Sequence, residues 1–176
     1  MIEIRRIDSA HQTDINLPNE PFRLFGRILP SYTDGKWDYT LLQYAPKDVT
    51  EMCFPDEHYR FEEMPDDFFL GAYNGDTCIG LAILEPGFFK YLYLSDLKVN
   101  AACRGQHVGK QLICEAKKLA ADQGYRGVYT IGQDNNPGAC LFYLHNGFRI
   151  GGLDTDVYRH TKQEGKADII FYAECE

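Results

Sequence analysis

The feature that most constrains the fold is a strand, a basic glycine-containing loop and a helix that follow one another in the middle of the chain. The run Tyr91–Val99 is apolar on both faces until Ser95, which predicts a buried strand in the centre of a sheet. A helix is predicted after the loop, because apolar residues recur at helical spacing on one face: Val108, Leu112, Ile113, Ala116, Leu119 and Ala120.

The loop between this strand and this helix is predicted to bind an anion. Backbone N–H groups of the loop and of the first helical turn are unpaired there, and the helix dipole favours negative charge. Arg104 and Lys110 add two positive charges. The loop lacks the Gly-Lys-Ser/Thr ending of a P-loop and the G-x-G-x-x-G spacing of a dinucleotide site. We therefore expect a phosphate-bearing ligand of another kind.

The loop is similar to the pyrophosphate loop of the GNAT superfamily of N-acetyltransferases, Q/R-x-x-G-x-G/A, with Arg104 first and Gly109 last. His107 replaces the usual middle glycine, and a positive φ there would cost about 1 kcal/mol. A later stretch resembles the N-x-x-A-x-x-F-Y-x-x-x-G-F motif of the same superfamily, and the resemblance extends over about residues 68–172. That second motif is matched by Asn136, Ala139, Phe142, Tyr143, Gly147 and Phe148.

The remaining pattern predicts one mixed α/β domain, residues 1–176. The resemblance implies a cofactor-binding core at about 68–172. Asn74-Gly75 predicts a hairpin with a type I′ turn. A second hairpin is predicted from 22–30 and 37–44, with Pro30 ending its first strand. The resemblance implies a GNAT-type mixed sheet with central splayed parallel strands and flanking helices.

Composition argues against several classes of function. The net charge of −8 and a pI near 5.1 argue against a nucleic-acid partner. No run approaches the ~18 apolar residues of a membrane span, and no secretory leader is evident, so we expect a cytoplasmic protein without a membrane partner. Six cysteines without paired spacing predict reduced thiols, with neither a metal site nor a disulfide.

The resemblance also implies a co-substrate, acetyl-CoA, and a role for individual residues. The pantetheine arm would pair with the backbone at Leu97 and Val99 and contact Asn136, for which a helix N-cap is the alternative. Tyr143 matches the tyrosine that protonates the departing thiolate, and a core aromatic is its alternative. The residues expected around the phosphates are Arg104, Gly105, Gln106, His107, Val108, Gly109 and Lys110.

The base that removes the amine proton is less well defined. Asp96, in the central strand beside the expected cofactor, is the first choice, because burial would raise the pKa of its carboxyl toward neutral. Glu85, at the end of the neighbouring strand, is second, and a solvated turn residue is the simpler interpretation of it. Cys140 lies one helical turn before Tyr143 without an evident His or Asp partner, so we interpret it as a packed side chain.

Four segments extend the resemblance to the streptothricin acetyltransferases: FGRILP, DGKWDYTLLQYAP, QDNNPGACLFYLHNGF and IGGLDTDVY. This implies that the acceptor is a cationic small-molecule amine, the β-lysine moiety of streptothricin, and that the activity gives antibiotic resistance. The acidic segment, residues 51–67, is either an exposed linker or a rim that attracts such a cation. A protein, peptide or polyamine N-acetyltransferase and a non-catalytic acyl-CoA-binding sensor are the alternatives. The sequence leaves open whether the protein is a homodimer.

Overall fold

The computed structural model of the chain describes residues 2–175, so Met1 and Glu176, the ends of the predicted domain, lie outside the described residues. The elements confirm the predicted mixed α/β class. In chain order they are β1 (Ile2–Arg6), β2 (Phe22–Leu24), β3 (Gly26–Thr33), β4 (Lys36–Gln43), β5 (Thr50–Met52), β6 (Phe68–Asn74), β7 (Thr77–Glu85), β8 (Tyr91–Val99), α1 (Val108–Asp122), β9 (Gly127–Gln133), α2 (Pro137–His145), β10 (Arg149–Asp154) and β11 (Asp168–Glu174).

The chain divides into two compact units. The first unit comprises the chain up to Glu20, Phe54–Val128 and the chain from Glu174. The second unit comprises Pro21–Cys53 and Tyr129–Ala173. Strand β9 begins in the first unit and continues in the second. That the whole chain acts as a single N-acetyltransferase domain stays a prediction.

The first unit contains four neighbouring strands in the order β1-β6-β7-β8, all antiparallel to their neighbours. Helix α1 packs on them closely: a Cβ on Gly80 of β7 would come within 3.3 Å of Leu112 Cδ1. The six apolar positions predicted for the buried face of α1 are the six buried positions in the structure. The helix ends before Gly124, which has the positive φ of 82° expected of a C-terminal glycine. The predicted buried face of α1 is confirmed.

The β6–β7 hairpin is also confirmed, but its predicted turn type is wrong. Asn74 pairs with Thr77, so the two turn residues are Gly75 and Asp76. Gly75 has a φ of 63°, whereas Asp76 is not among the residues with positive φ. A type I′ turn needs positive φ at both central residues, so the turn is of another type.

The second unit contains the strands β9-β11-β10, the helix α2 and two small ribbons, β2–β5 and β3–β4. Tyr143 of α2 packs against Phe148 and Phe171, and all three side chains are buried. The prediction that Pro30 ends its strand is wrong, because Pro30 lies inside β3 opposite Tyr39. Each strand of a two-stranded ribbon has one open edge, where a missing N–H removes no ladder hydrogen bond.

The predicted centre of the sheet is only partly buried. Leu92 and Leu94 of β8 are fully buried, whereas the second half of the strand is half-buried. Within residues 2–175 there is no helix with the length and apolarity needed to cross a membrane.

Candidate functional site

The predicted anion loop is preformed, with two residues in the left-handed region. A 3-10 turn, Ala101–Cys103, follows β8, and residues 104–107 form the turn that leads into α1. Gly105 has a φ of 75° and His107 a φ of 62°, which confirms the strain expected at His107. His107 precedes the first helical residue and makes no side-chain cap hydrogen bond. Gly105 and His107 thus adopt the positive φ that suits the glycines of the pyrophosphate-loop motif.

The Arg104 side chain is held against the end of β8. Its Nε donates to the carbonyl oxygen of Val99 at 3.0 Å, and its guanidinium lies 3.6 Å from a carboxylate oxygen of Glu20. Glu20 also accepts a hydrogen bond from the backbone N–H of Ala101. Gln106 Nε2 donates to the carbonyl of Ala102 at 3.0 Å. These contacts order the loop, and the role of Glu20 could not be seen in the sequence because it is distant along the chain.

At the predicted pantetheine positions, one edge of β8 pairs with β7. Leu97 lies opposite Ala82, and Val99 lies opposite Gly80. A ladder partner other than β7 would therefore have to pair with the opposite edge. Just before β8 and β9 begin, the N–H of Arg126 donates to the carbonyl of Lys90 at 2.7 Å.

Asp96 is half-buried in β8 and faces a lysine. Its Oδ2 lies 2.9 Å from Lys98 Nζ, a distance typical of an ion pair. That oxygen is buried and has no hydrogen-bond partner besides this ion pair. Burial raises the pKa of Asp96 and outweighs the opposing charge of Lys98. The pKa of Asp96 is therefore raised, as expected of a base, although Lys98 was not predicted as its partner.

The same lysine also pairs with the acidic segment. Lys98 Nζ donates to Glu57 Oε2 at 2.9 Å. Burial alone would lower the pKa of Lys98, but Glu57 and Asp96 together raise it. Burial likewise opposes ionisation of Glu57, and the hydrogen bond and charge of Lys98 reverse this and lower the pKa of Glu57. Most other acids of the segment are exposed, as the linker interpretation expects.

Glu85, the second choice of base, lies near Tyr59 and Asp67. Burial raises the pKa of Tyr59, and the charges of Asp96, Glu57 and Glu85 add to the effect. Burial also raises the pKa of Asp67, with Glu85 contributing. Asp96, Glu57 and Glu85 therefore lie around Tyr59, which is half-buried, and Lys98 pairs with the first two.

The second unit holds Asn136 and Tyr143, seven residues apart and so two turns apart on α2. Asn136 Oδ1 accepts from the N–H of Ala139 at 3.2 Å, so the helix-capping alternative is confirmed for this oxygen. The neighbouring Asn135 Oδ1 is buried without a hydrogen-bond partner. A buried carbonyl of this kind is uncommon and is available to a donor on a ligand.

Tyr143 is 8% exposed and packs among three aromatic rings. Its ring centroid lies 5.6 Å from Phe142, 5.3 Å from Phe148 and 5.6 Å from Phe171. The core-aromatic description therefore holds for the ring, whereas an acid role stays a prediction that concerns the hydroxyl alone.

Cys140 is fully buried and does not have the surroundings of a nucleophile. Burial raises the pKa of Cys140 to about 12, and its Sγ lies 3.4 Å from the carbonyl of Gln133. A thiol with this pKa stays protonated near neutral pH. The interpretation as a packed side chain is confirmed.

Sequence reasoning missed a buried ion pair at the start of the α2 segment. Asp134, 3% exposed, accepts from Arg27 Nε at 2.9 Å and from the N–H of Ala167 at 3.0 Å. Arg27 also donates to the carbonyl of Gly165 at 2.6 Å. The acidic Asp134 within the QDNN run was visible in the sequence, but its partner 107 residues earlier was not.

Over the described part of the chain, no group of His, Cys, Asp or Glu side chains is arranged to hold a metal ion. The six cysteines are free thiols. The predicted site residues fall into two sets: Asp96, Leu97, Val99 and the loop in the first unit, and Asn136 with Tyr143 in the second.

Comparisons with known proteins bear on what these residues do. The chain is 28% identical to streptothricin acetyltransferase A of Bacillus subtilis (strain 168), over 96% of this chain and 98% of that protein. It resembles a crystal structure of a candidate streptothricin acetyltransferase from Bacillus anthracis str. Ames in complex with acetyl coenzyme A, with 26% identity, a TM-score of 0.87 and coverage of 100% and 99% of the two chains. A nourseothricin acetyltransferase, 22% identical over 99% of each chain, shares the fold with a TM-score of 0.80.

The model of the acetyltransferase (GNAT) family matches residues 34–148, which is more than half of the chain. The match includes the glycine loop, β8 and α2, so the resemblance expected from the two motifs is confirmed. The fold class, the enzyme class and acetyl-CoA as co-substrate are confirmed with it. The protein belongs to the GNAT family of acetyltransferases.

Proposed function

We propose that the protein transfers the acetyl group of acetyl-CoA to an amine of the β-lysine moiety of streptothricin. The observation that carries this proposal is the similarity to streptothricin acetyltransferase A, which extends over 96% of the chain. An alignment of 169 residues includes most of residues 1–33, which lie outside the match to the family model. Similarity there favours a shared acceptor as well as a shared donor.

The donor would be held by the loop and by β8. Loop N–H groups from Gly105 to Lys110 would bind the pyrophosphate, since a helix begins there and no side chain caps it. Arg104 would add its charge, and the backbone at Leu97 and Val99 would pair with the pantetheine arm. Asn136 would contact the same arm through its Nδ2, because its Oδ1 caps α2.

In the reaction, the acceptor nitrogen would attack the thioester carbonyl directly. The new C–N bond forms as the C–S bond breaks, and CoA leaves as a thiolate. Tyr143 would protonate that sulfur, and Asp96 would take the proton that the nitrogen loses, directly or through water. A positioned general acid contributes ~10²–10⁴-fold to such a step.

The acceptor would be captured as a cation. Amines of the lysine type are protonated near neutral pH and must lose a proton before they attack. The first unit offers carboxylates for both steps, namely Glu85 and Asp67 for attraction and Asp96 for deprotonation. The net charge of −8 favours the same kind of ligand.

The proposal is tested by measuring release of the CoA thiol from acetyl-CoA with three acceptors: streptothricin, spermidine and a lysine-containing peptide. We expect the highest kcat/KM with streptothricin and little release with the peptide. Preference for spermidine would indicate a polyamine acetyltransferase. Binding of CoA without thiol release to any acceptor would indicate an acyl-CoA sensor.

A further inference from the structure

A lysine lies between two carboxylates in the first unit, and the reaction described above uses only one of them. Lys98 Nζ is 2.9 Å from Glu57 Oε2 and 2.9 Å from Asp96 Oδ2. The side chains of Lys98 and Asp96 are 11% and 16% exposed, so water screens them poorly. A buried ammonium needs compensation of this kind, and a buried pair that loses one member is strongly destabilised.

The cluster is built by two separate segments. Asp96 and Lys98 alternate along β8, so their side chains lie on the same face of the strand. Glu57 belongs to the acidic segment and is fixed by Asn19, whose Nδ2 donates to Glu57 Oε2 at 2.9 Å and to the carbonyl of Pro55 at 2.8 Å. The position of Lys98 is therefore set from both sides.

Two charges act most strongly on Asp96, namely Lys98 from β8 and Glu57 from the acidic segment. Tyr59 of the same segment also lies near Asp96, and Glu85 of β7 and Tyr93 of β8 lie near Tyr59. Lys98 is the one cation of this group, and it favours the ionised form of Asp96. Glu57 acts in the opposite direction, both by its own charge and by drawing the ammonium of Lys98 toward itself.

We propose that Lys98 and Glu57 are positioning residues for acetyl transfer, which together hold the Asp96 carboxylate in place and set the pH at which it accepts the acceptor's proton. This inference rests on the proposed function, in which Asp96 is the base. Lys98 supports the ionised carboxylate, and Glu57 limits that support, so that Asp96 stays basic enough to take a proton from an ammonium.

The two positioning residues have opposite effects, which makes the inference testable. Asp96 must be ionised to act, so activity rises with pH as Asp96 loses its proton. Lys98→Met removes the charge that favours ionisation, so this rise should move to higher pH. Glu57→Gln removes a competing negative charge and frees Lys98 for Asp96, so the rise should move to lower pH.

The experiment is a pH profile of kcat/KM by thiol release with acetyl-CoA and streptothricin, for the wild-type protein and the two variants. Lys118→Met is the matched control, because Lys118 pairs with Glu115 at 3.0 Å on an exposed surface of α1. We expect opposite displacements for Lys98→Met and Glu57→Gln and none for the control. Thermal melting of each variant separates loss of folding from loss of function.

A purely structural role would lower the melting temperature and leave the pH profile of the folded enzyme unchanged, and this result overturns the inference. Displacement of both profiles in the same direction also overturns it. If Lys98→Met does not fold, the isosteric Glu57→Gln variant decides alone by the sign of its displacement. Full activity of Asp96→Asn would remove Asp96 as base, and inactivity of the wild-type protein toward streptothricin would contradict the proposed function itself.

Discussion

The hydroxyl group of Tyr143 carries the proposed acid step, while the rest of the side chain belongs to the core. The ring contacts Phe142, Phe148 and Phe171 and is almost fully buried. Phenylalanine keeps those contacts and lacks only the oxygen. The two roles can therefore be separated by removing a single atom.

Tyr143→Phe should fold normally and bind acetyl-CoA with unchanged affinity. Its turnover should fall ~10²–10⁴-fold, the rate factor that a positioned general acid typically contributes. Calorimetric titration with CoA and steady-state thiol release measure the two quantities separately. Turnover close to that of wild type would leave Tyr143 as a core residue, with the thiolate protonated by water.

His107→Gly should keep CoA affinity and lose little or no stability. The left-handed φ of 62° costs about 1 kcal/mol for a residue with a side chain, and glycine relieves it. The greater freedom of glycine in the unfolded chain offsets ~0.4–1 kcal/mol of this gain. A clear loss of CoA affinity would show that the imidazole itself contacts the ligand, which the loop motif does not lead us to expect.

The loop and the helix motif could be predicted from sequence, because each is a local pattern. The partners of Asp96 could not, since Glu57 lies 41 residues before Lys98 and is joined to it only by folding. Glu20 was missed for the same reason, as it lies 81 residues before the N–H that it binds. Side chains that tune a site through space leave no periodic signal in a single sequence.

At the scale of the elements, periodicity and turn residues located most of the helices and strands. The buried face of α1 matched residue for residue, because an amphipathic helix of 15 residues repeats its pattern several times. Short strands did not repeat enough to be recognised: β1 and β5 were missed, with five and three residues. Pro30 was misread because a proline at an open edge does not break a strand.

The pair of Arg27 and Asp134 joins β3 to the end of β9 within the second unit. The backbone N–H of Ile28 also donates to the carbonyl of Asp134 at 2.8 Å, so side chains and backbone fix the same junction. Asn136 follows two residues later and begins α2. The element that carries Tyr143 is therefore anchored where it starts.

Asp134→Asn should destabilise the protein by ~1–3 kcal/mol, the range for weakening charge-assisted hydrogen bonds, because the remaining guanidinium of Arg27 is 31% exposed. Chemical denaturation monitored by far-UV circular dichroism measures the loss. Glu62→Gln is the control, because Glu62 pairs with Arg60 on the exposed surface and its removal should change stability little. Equal losses in the two variants would show that the buried pair contributes no more than a surface one.

At the scale of the whole molecule, charge is the property that relates the protein to its acceptor. Acidic residues outnumber basic ones by 26 to 18, which gives the net charge of −8. Within the acidic segment, Glu62, Glu63 and Asp66 are exposed and Asp67 is half-buried. Exposed charges act over a Debye length of ~10 Å at 0.1 M salt. Attraction of a cationic acceptor by these groups should therefore weaken as salt is added.

The KM for streptothricin should rise with salt concentration more than the KM for acetyl-CoA, which local contacts hold. Neutralising Glu62, Glu63, Asp66 and Asp67 together should raise the acceptor KM and flatten its salt dependence. Steady-state kinetics between about 20 mM and about 500 mM salt, over which the Debye length falls from roughly 20 Å to roughly 4 Å, cover the useful range.

The matched control neutralises four exposed acids outside that segment, Glu3, Asp48, Asp76 and Asp122, and so changes the net charge equally. If both quadruple variants raise the acceptor KM alike, overall charge attracts the acceptor rather than the acidic segment. If neither changes it at any salt concentration, the segment is a solvated surface only.

The central claim is that the acetyl group of acetyl-CoA reaches a β-lysine amine of streptothricin. Mass spectrometry of the antibiotic after incubation with the protein and acetyl-CoA tests it most directly, with fragmentation to locate the modified nitrogen. We expect one added acetyl group, carried by fragments that contain the β-lysine chain, and none when acetyl-CoA is omitted. Unmodified streptothricin, or an acetyl group carried by another part of the molecule, would contradict the claim.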